Sequence, residues 1–279
     1  MKFWKMNGTG NDFIIIDNRE SSLSAEALPD LARQLCRQHW SIGADGLMVV
    51  EDPVQGGDIA MRFYNADGSV GEMCGNGARC LCRYCFEKDI AGSVQRIETM
   101  AGMVEGERVD KREYRIRLND PNRIKLHETA TIGGQEIAYS YVELGDPGIP
   151  HIAVEIKGLR EKGKEELFEL GRKLRYYPDF PRGTNVNFYD LMGPDRLFER
   201  TWERGVEGFT YACGTGTASV VTLLTLLGRV SGKGVSVDME GGRLTVDVCL
   251  EEDKVRDLFL AGPTNLVAIG EIFDEDLVL

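Results

Sequence analysis

The chain contains the same short motif twice, a cysteine followed by Gly-x-Gly and then by an apolar stretch. The copies are Cys74-Gly75-Asn76-Gly77 and Cys213-Gly214-Thr215-Gly216, so their cysteines lie 139 positions apart in a chain of 279 residues. Backbone N–H groups and the positive end of the helix dipole converge on a cysteine that directly precedes a helix, and this lowers the pKa of its thiol. The repeat therefore predicts a site between two similar domains, with two thiols that transfer protons.

The segments after both motifs predict helices that are buried on all sides. We place them at residues 78–88 and 217–227, with Gly228 ending the second. Both are apolar nearly all round, which is typical of a helix inside a core. Each half of the chain is therefore expected to wrap a sheet around a central helix and to leave the helix start and its cysteine open at one end.

The remaining pattern is one of short strands and hairpins. Strands are predicted at residues 13–17, 47–50, 59–65, 113–118, 136–144, 151–156, 184–189 and 196–203, and further helices at 30–39 and 164–175. Hairpins favour a mixed or antiparallel sheet. The fold class is thus α/β of the α+β type, with two similar halves at 1–120 and 121–263, and the final strands could return to either half.

Composition excludes several classes of partner. The net charge is −12, which argues against nucleic acid and against anionic membranes as partners. No apolar run is long enough to span a bilayer, and residues 1–17 lack the long apolar stretch of a secretory signal. Seven cysteines, an odd number, indicate a reducing compartment, so a cytoplasmic location is expected. No loop matches a dinucleotide-binding or P-loop pattern, and we expect neither a cofactor nor a metal.

Polar residues near the two motifs are candidates for substrate binding. Four asparagines lie in glycine-rich turns or at strand ends: Asn11, Asn65, Asn76 and Asn185. Asparagine is common in turns for conformational reasons, but neutral amides beside reactive thiols also suit the recognition of ammonium and carboxylate groups. Glu203 and Arg204 stand close before Cys213 and offer one charge of each sign, either for a zwitterionic substrate or simply for each other. His151 follows a Pro/Gly turn and is one of only three histidines.

Seven motifs together resemble the diaminopimelate epimerase family of PLP-independent amino-acid epimerases. They are GNDF at residues 10–13, GADGL at 43–47, FYNADGS at 63–69, MCGNGARC at 73–80, GTNVNF at 183–188, WERG at 202–205 and ACGTG at 212–216. They occur in order over nearly the whole chain. The resemblance implies two pseudosymmetric α/β halves and a C-terminal strand, in 264–279, that returns to the first half. The resemblance implies an isomerase of lysine biosynthesis that needs no cofactor and converts LL-diaminopimelate to the meso form.

The resemblance also implies a role for each site residue. Cys74 and Cys213 would be a thiolate and a thiol on opposite faces of the substrate α-carbon, and His151 and Glu203 would hold the α-ammonium group and assist deprotonation. The backbone N–H groups that would bind the α-carboxylate belong to Gly75, Asn76, Gly214 and Thr215. The side chains that would hold the distal amino-acid end belong to Asn11, Asn65, Asn185 and Arg204.

Departures from the family pattern leave the substrate open. The family most often has histidine at Asn7, a polar residue at Ile149 and glutamate at Phe209. A racemase of another amino acid on the same scaffold is therefore the alternative. A more remote one is a thiol-redox or cysteine-metal protein, since Cys82 and Cys85 have C-x-x-C spacing, although within a predicted apolar helix. The expected partner is a small amino-acid substrate. A homodimer is also expected, although no motif in the sequence specifies one.

Overall fold

The computed structural model describes residues 1–21, 23–252 and 254–273. The chain forms two compact units. The first contains Met1–Ile116 and the segment from Ala261 onward, and the second contains Arg117–Leu260. Of the predicted C-terminal segment 264–279, residues 274–279 lie outside the described residues.

The first unit is a mixed sheet with three helices. Its elements are β1 (Lys2–Gly8), β2 (Asn11–Asp17), α1 (Asn18–Ser21), α2 (Leu28–Leu35), β3 (Gly46–Glu51), β4 (Ile59–Asn65), β5 (Val70–Gly71), α3 (Gly75–Glu87), β6 (Val94–Thr99), β7 (Gly102–Arg108), β8 (Glu113–Leu118) and β18 (Asn265–Glu271). The strand β1 pairs antiparallel with β18 and with β2. Beyond β2, each strand pairs with the one named before it: β3 is parallel to β2, β4 is antiparallel to β3, and β6 is parallel to β4. The strand β7 is antiparallel to β6, and β8 is antiparallel to β7.

The second unit has the same construction. Its elements are β9 (Pro121–Ile132), β10 (Gln135–Leu144), β11 (Ile149–Glu155), a 3₁₀ turn (Leu159–Glu161), α4 (Lys164–Arg175), β12 (Asn185–Gly193), β13 (Arg196–Glu203), β14 (Gly208–Phe209), α5 (Gly214–Leu226), β15 (Val235–Met239), β16 (Gly242–Glu251) and β17 (Lys254–Pro263). The strand β10 pairs antiparallel with β9 and β11. Beyond β11, each strand again pairs with the one named before it: β12 is parallel to β11, and β13 is antiparallel to β12. The strand β15 is parallel to β13, and β16 is antiparallel to β15.

The two units are therefore repeats of one topology. The helix α3 packs on β1, β2, β3 and β7, and α5 packs on the corresponding strands β10, β11, β12 and β16. Each helix follows a two-residue strand, β5 or β14, that pairs with the strand before it. The predicted fold class, pseudosymmetric halves built around buried helices, is confirmed.

Both central helices begin three residues earlier than predicted, because the Gly-x-Gly segment is the first helical turn and not a turn before it. Residues 76–85 of α3 and 216–225 of α5 are buried, as the apolar pattern predicts. A glycine in each first turn allows close packing. A Cβ atom on Gly77 would overlap the side chain of Met48, and one on Gly216 would overlap the side-chain oxygen of Asn187.

Several other elements differ from the predictions. The helix predicted at 30–39 is α2, which ends at Leu35; His39 has a φ of 69°, a left-handed conformation that no helix continues through. The strands β1 and β9 were not predicted. The sequence of β1 does contain a strand pattern. The residues that are buried in the structure occupy every second position, and this period of two is that of a half-buried strand.

Candidate functional site

Each repeat places its cysteine at the N-cap position of its central helix. Cys74 precedes α3 with φ −133° and ψ 115°, and Cys213 precedes α5 with φ −126° and ψ 103°; both conformations are extended. Neither first turn carries an acidic residue, and no side-chain hydrogen bond that caps either helix is found among the described residues. The first backbone N–H groups of a helix have no intrahelical acceptor, so both starts can bind an anion.

In the first unit, an amide network surrounds the start of α3. The Nδ2 of Asn76 donates to the Oδ1 of Asn11 at 2.6 Å, and the Nδ2 of Asn11 donates to an Asp45 carboxylate oxygen at 3.2 Å. The backbone N–H of Ala66, next to Asn65, donates to the carbonyl of Asp45 at 3.1 Å. The start of β2, the end of β4 and the first turn of α3, which contain Asn11, Asn65 and Asn76, are thus tied together beside Cys74.

A buried cation lies below the same helix start. Arg79 is 0% exposed and donates to Asn76 Oδ1 at 2.9 Å and to Thr9 Oγ1 at 3.1 Å. It forms no ion pair with a carboxylate of the described chain. Burial lowers the pKa of Arg79 to about 10, and the nearby thiols Cys80 and Cys74 oppose this shift. The guanidinium is still positively charged at neutral pH and favours a negative charge on a neighbouring group.

In the second unit, carboxyl groups replace the cation. Glu203 at the end of β13 accepts a 2.6 Å hydrogen bond from Thr210 Oγ1. Burial raises the pKa of Glu203, while its hydrogen bonds to Thr210 and to Cys213 lower it. The thiol of Cys213 also lies 3.6 Å from Thr215 Oγ1. Glu203 and Cys213 therefore form one hydrogen-bonded acid–base pair.

The expectation of a lowered thiol pKa is wrong for Cys213. Burial raises the pKa of this thiol well above its ordinary value, and the neighbouring Glu203 and Glu199 raise it further. Hydrogen bonds from Thr215 and from the Gly216 backbone act in the opposite direction but do not outweigh burial. A helix start contributes only partial charges, whereas a carboxylate at close range contributes a full one. Cys213 is accordingly a thiol at neutral pH.

His151 lies on β11, two residues after Ile149, and is completely buried. Asn187 donates from Nδ2 to the carbonyl of Ile152 at 2.8 Å and lies 3.3 Å from His151 Nδ1. A carbonyl can only accept, so the NH₂ of Asn187 faces both groups and His151 Nδ1 is an acceptor. Burial lowers the pKa of His151 to about 3, which makes it neutral with its proton on Nε2. That N–H has no partner within the described part of the chain.

This tautomer changes the role expected for His151. A neutral imidazole whose Nδ1 is already bonded can donate from Nε2 but has no lone pair left for an ammonium group. His151 can therefore donate to a carboxylate or another acceptor of a bound ligand, and only Glu203 of the two residues can accept from an α-ammonium.

Asn185 and Arg204 lie side by side. Asn185 pairs with His151 across β11 and β12, donates to the carbonyl of Pro150 at 3.0 Å and accepts from the backbone N–H of Arg204 at 2.8 Å. The Arg204 guanidinium donates to the carbonyl of Arg182 at 3.3 Å, and no ion pair with it occurs in residues 1–21, 23–252 or 254–273. Arginine binds carboxylates bidentately, so Arg204 can hold one.

Four residues around these groups were not assigned a role from the sequence. They are Arg79, Asn187, Glu199 and Thr210. The motif MCGNGARC includes Arg79, but nothing in the sequence shows that the guanidinium is buried without a carboxylate. The contacts of the other residues could not be read from the sequence either, because they depend on how the strands pair. For example, Asn187 on β12 lies opposite Thr201 on β13.

The structure offers little support for the redox or metal alternative. Cys82 and Cys85 are 0% exposed within α3, and burial raises the pKa of both. Among the described residues there is no group of three side chains placed to hold a metal ion. No helix in that part of the chain is long and apolar enough to cross a membrane.

Comparison with known proteins finds relatives that match nearly the whole chain. The family model described as diaminopimelate epimerase matches residues 3–123 and 145–267. The chain is 37% identical to a diaminopimelate epimerase of Aquifex aeolicus over 99% of both chains, and 38% identical to one of Archaeoglobus fulgidus over 88% of this chain and 89% of the relative.

Solved structures share the fold at lower identity. A hydroxyproline epimerase from Agrobacterium vitis has a TM-score of 0.64 at 17% identity, covering 98% of this chain and 90% of the other. A phenazine biosynthesis protein of the PhzF family from Enterococcus faecalis has a TM-score of 0.68 at 15% identity, covering 98% of both. These structural matches show the fold alone. The sequence matches, which have higher identity and cover nearly the whole chain, show that the chain belongs to the diaminopimelate epimerase family, whose members are isomerases.

Proposed function

We propose that the chain epimerises LL-2,6-diaminopimelate to meso-diaminopimelate, with Cys74 and Cys213 as its two acid–base groups. The observation that carries the proposal is that each of two repeats places a cysteine at the open start of a buried helix. Inversion at a carbon requires a proton to leave one face and another to arrive on the opposite face. One thiol for each face meets that requirement.

The charges near the thiols set the direction of the first step. The Arg79 guanidinium favours a thiolate at Cys74, whereas burial and the neighbouring Glu203 keep Cys213 protonated. The Cys74 thiolate takes the α-proton as the C–H bond breaks, which leaves the electron pair on the α-carbon. The Cys213 S–H bond then breaks and its proton forms the new C–H bond. Cys213 ends as the thiolate, and exchange with water restores the starting state.

Other groups stabilise the negative charge that develops next to the α-carboxylate. Backbone N–H groups at the helix starts bind that carboxylate and act where charge develops. They belong to Gly75, Asn76, Gly214 and Thr215. Glu203 accepts from the α-ammonium, and His151 donates from Nε2 to an oxygen of the substrate. Arg204 binds the distal carboxylate, with the amides of Asn11, Asn65 and Asn185 around the distal end.

Proton NMR of the reduced protein with LL-diaminopimelate in D₂O tests the proposal. We expect deuterium at the α-carbon and formation of the meso product. Cys74→Ala and Cys213→Ala should each lose at least about 10²-fold in rate, which is the usual contribution of a general acid or base. Cys249→Ser, at an exposed cysteine on β16, is the matched control and should keep the activity. Wild-type protein that exchanges no α-proton of any amino acid would contradict the proposal.

A racemase of another amino acid is the second candidate. Ile149 is 38% exposed two residues before His151, so an apolar side chain lies at a position where the family commonly has a polar one. Phe209 packs instead against Phe188 and Trp202, which explains that departure by packing alone. The same NMR experiment with a panel of L-amino acids separates the candidates, because exchange on an amino acid other than diaminopimelate would keep the mechanism and replace the substrate.

A further inference from the structure

A chain of buried polar side chains lies beneath the start of α5 and ends on a carboxyl group. Glu199, on β13, is 2% exposed; Thr217 Oγ1 donates to it at 2.7 Å, and Thr201 Oγ1 lies 3.4 Å from its other oxygen. Thr201 Oγ1 also lies 3.0 Å from Asn187 Oδ1, and Asn187 bonds to His151. Thus a group that neither sequence motif contains is linked to both His151 and the first turn after Cys213.

Hydrogen-bond accounting places a proton on Glu199. The NH₂ group of Asn187 faces the Ile152 carbonyl, so its oxygen faces Thr201 and must accept that hydroxyl proton. Thr201 then has no proton to give to Glu199, so a hydrogen bond across their 3.4 Å separation forms when Glu199 donates to the Thr201 oxygen. The direction of the pKa agrees, because burial raises the pKa of Glu199 to about 8.

The charged groups around Glu199 also favour its neutral form. Glu203 lies on the same strand, and Cys213 begins the helix above; both become negative when they ionise. His151, reached through Asn187, is neutral. No cation of the described chain forms an ion pair with Glu199. An ionised Glu199 would be a buried charge without a counterion, and it would further oppose the thiolate of Cys213.

We propose that Glu199 is a positioning residue that works as a neutral carboxylic acid. Its proton directs the Thr201 hydroxyl to Asn187, which holds His151 with Nε2–H as a donor, and its second oxygen holds the first turn of α5 through Thr217. Loss of that proton to water lets Thr201 turn to the carboxylate and releases Asn187. It also places a second negative charge beside Cys213. The inference rests on the proposed epimerase function for its activity readout.

The variant Glu199→Gln tests this proposal, because glutamine keeps a donor and an acceptor but cannot ionise. We expect the rate of wild type relative to Glu199→Gln to fall about tenfold between pH 7 and pH 9, as a group with a pKa of about 8 loses its proton. Ser219→Ala removes a buried hydroxyl from the same helix and is the control; its pH profile should match wild type. A ratio that stays constant with pH overturns the proposal.

A second readout needs no substrate. The chain has three histidines, so His39→Gln with His127→Gln leaves His151 as the only one for ¹⁵N NMR. We expect Nε2 to carry the proton at pH 7 and the His151 resonances to shift with a midpoint near pH 8, and no such shift when Glu199→Gln is added. Resonances that shift identically in both proteins overturn the inference. A shift as expected in a protein that exchanges no amino-acid α-proton overturns only the proposed function.

Discussion

The starts of α3 and α5 are the same structural position in two repeats, yet a buried cation lies near one and carboxyl groups lie near the other. Arg79 lies buried under the first, and Glu199 and Glu203 lie under or beside the second. The repeated helix start supplies the same N–H groups in both units, so it cannot by itself distinguish a base from an acid. The difference teaches that a repeated backbone can carry unlike surroundings at equivalent positions, and the proposed mechanism assigns the difference between its two thiols to these buried groups.

Removing the cation should have the largest effect on this difference. We expect Arg79→Met to lower the rate of α-proton exchange about 10²-fold, since the thiolate at Cys74 loses its neighbouring charge and Asn76 loses a donor. The thermal midpoint should change little, because replacing a buried charge that lacks a counterion by an apolar side chain is often neutral or stabilising. Exchange rates and thermal unfolding on the same samples measure both effects.

Arg83→Met is the matched control for this experiment. Arg83 lies one turn further along α3 and is also buried, but it pairs with Glu87 at 2.7 Å and donates to the Thr264 carbonyl at 2.6 Å. Its loss should destabilise the fold and leave the exchange rate of the folded protein unchanged. An Arg79→Met protein with wild-type exchange would show that the cation does not distinguish the two thiols.

A methyl group in each first turn compares the two helix starts directly. At Gly216 an added Cβ meets Asn187, which the buried network holds in place, whereas at Gly77 it meets the end of the flexible Met48 side chain. We therefore expect Gly216→Ala to lower activity about tenfold and Gly77→Ala to lower it less, since a misplaced catalytic group costs more than a shifted methionine. Equal losses in the two variants would mean that Asn187 moves as easily as Met48.

The smallest effect is the pH dependence of stability that Glu199 contributes in the second unit. Glu199 titrates at its ordinary value of 4.5 when unfolded and at about 8 when folded, so the folded protein holds an extra proton between these values. Stability from this group is complete below pH 4.5 and decreases as pH rises to 8, by up to about 1.4 kcal/mol per pH unit. Denaturant unfolding at pH 5 to 8 should show wild type losing stability relative to Glu199→Gln.

His151 contributes with the opposite sign over a lower range. Its pKa falls from 6.5 to about 3 on folding, so its contribution to stability grows as pH rises from 3 to 6.5. This contribution cancels when the unfolding free energy of Glu199→Gln is subtracted from that of wild type, because both proteins contain His151. A difference that does not change with pH would show that Glu199 titrates alike in the folded and unfolded chain.

The sequence was sufficient for the positions of the cysteines and for most of the fold. The motif Cys-Gly-x-Gly and the apolar runs after it predicted α3 and α5 from helical propensity and hydrophobic pattern, which are local properties. The strand β9 and the end of α2 at Leu35 were missed, because pairing and local backbone conformation decided them. The directions of the Asn11 and Asn76 side chains likewise depend on residues 65 positions apart.

What the sequence by itself determined is that two cysteines stand at two equivalent helix starts in a repeated fold. What only the tertiary structure decided is how they differ. Arg79 meets Thr9, 70 positions away, and Glu199 meets Thr217 on another element. Strand register and burial create these contacts, and electrostatic interactions are stronger in the low dielectric of the buried interior than at the surface.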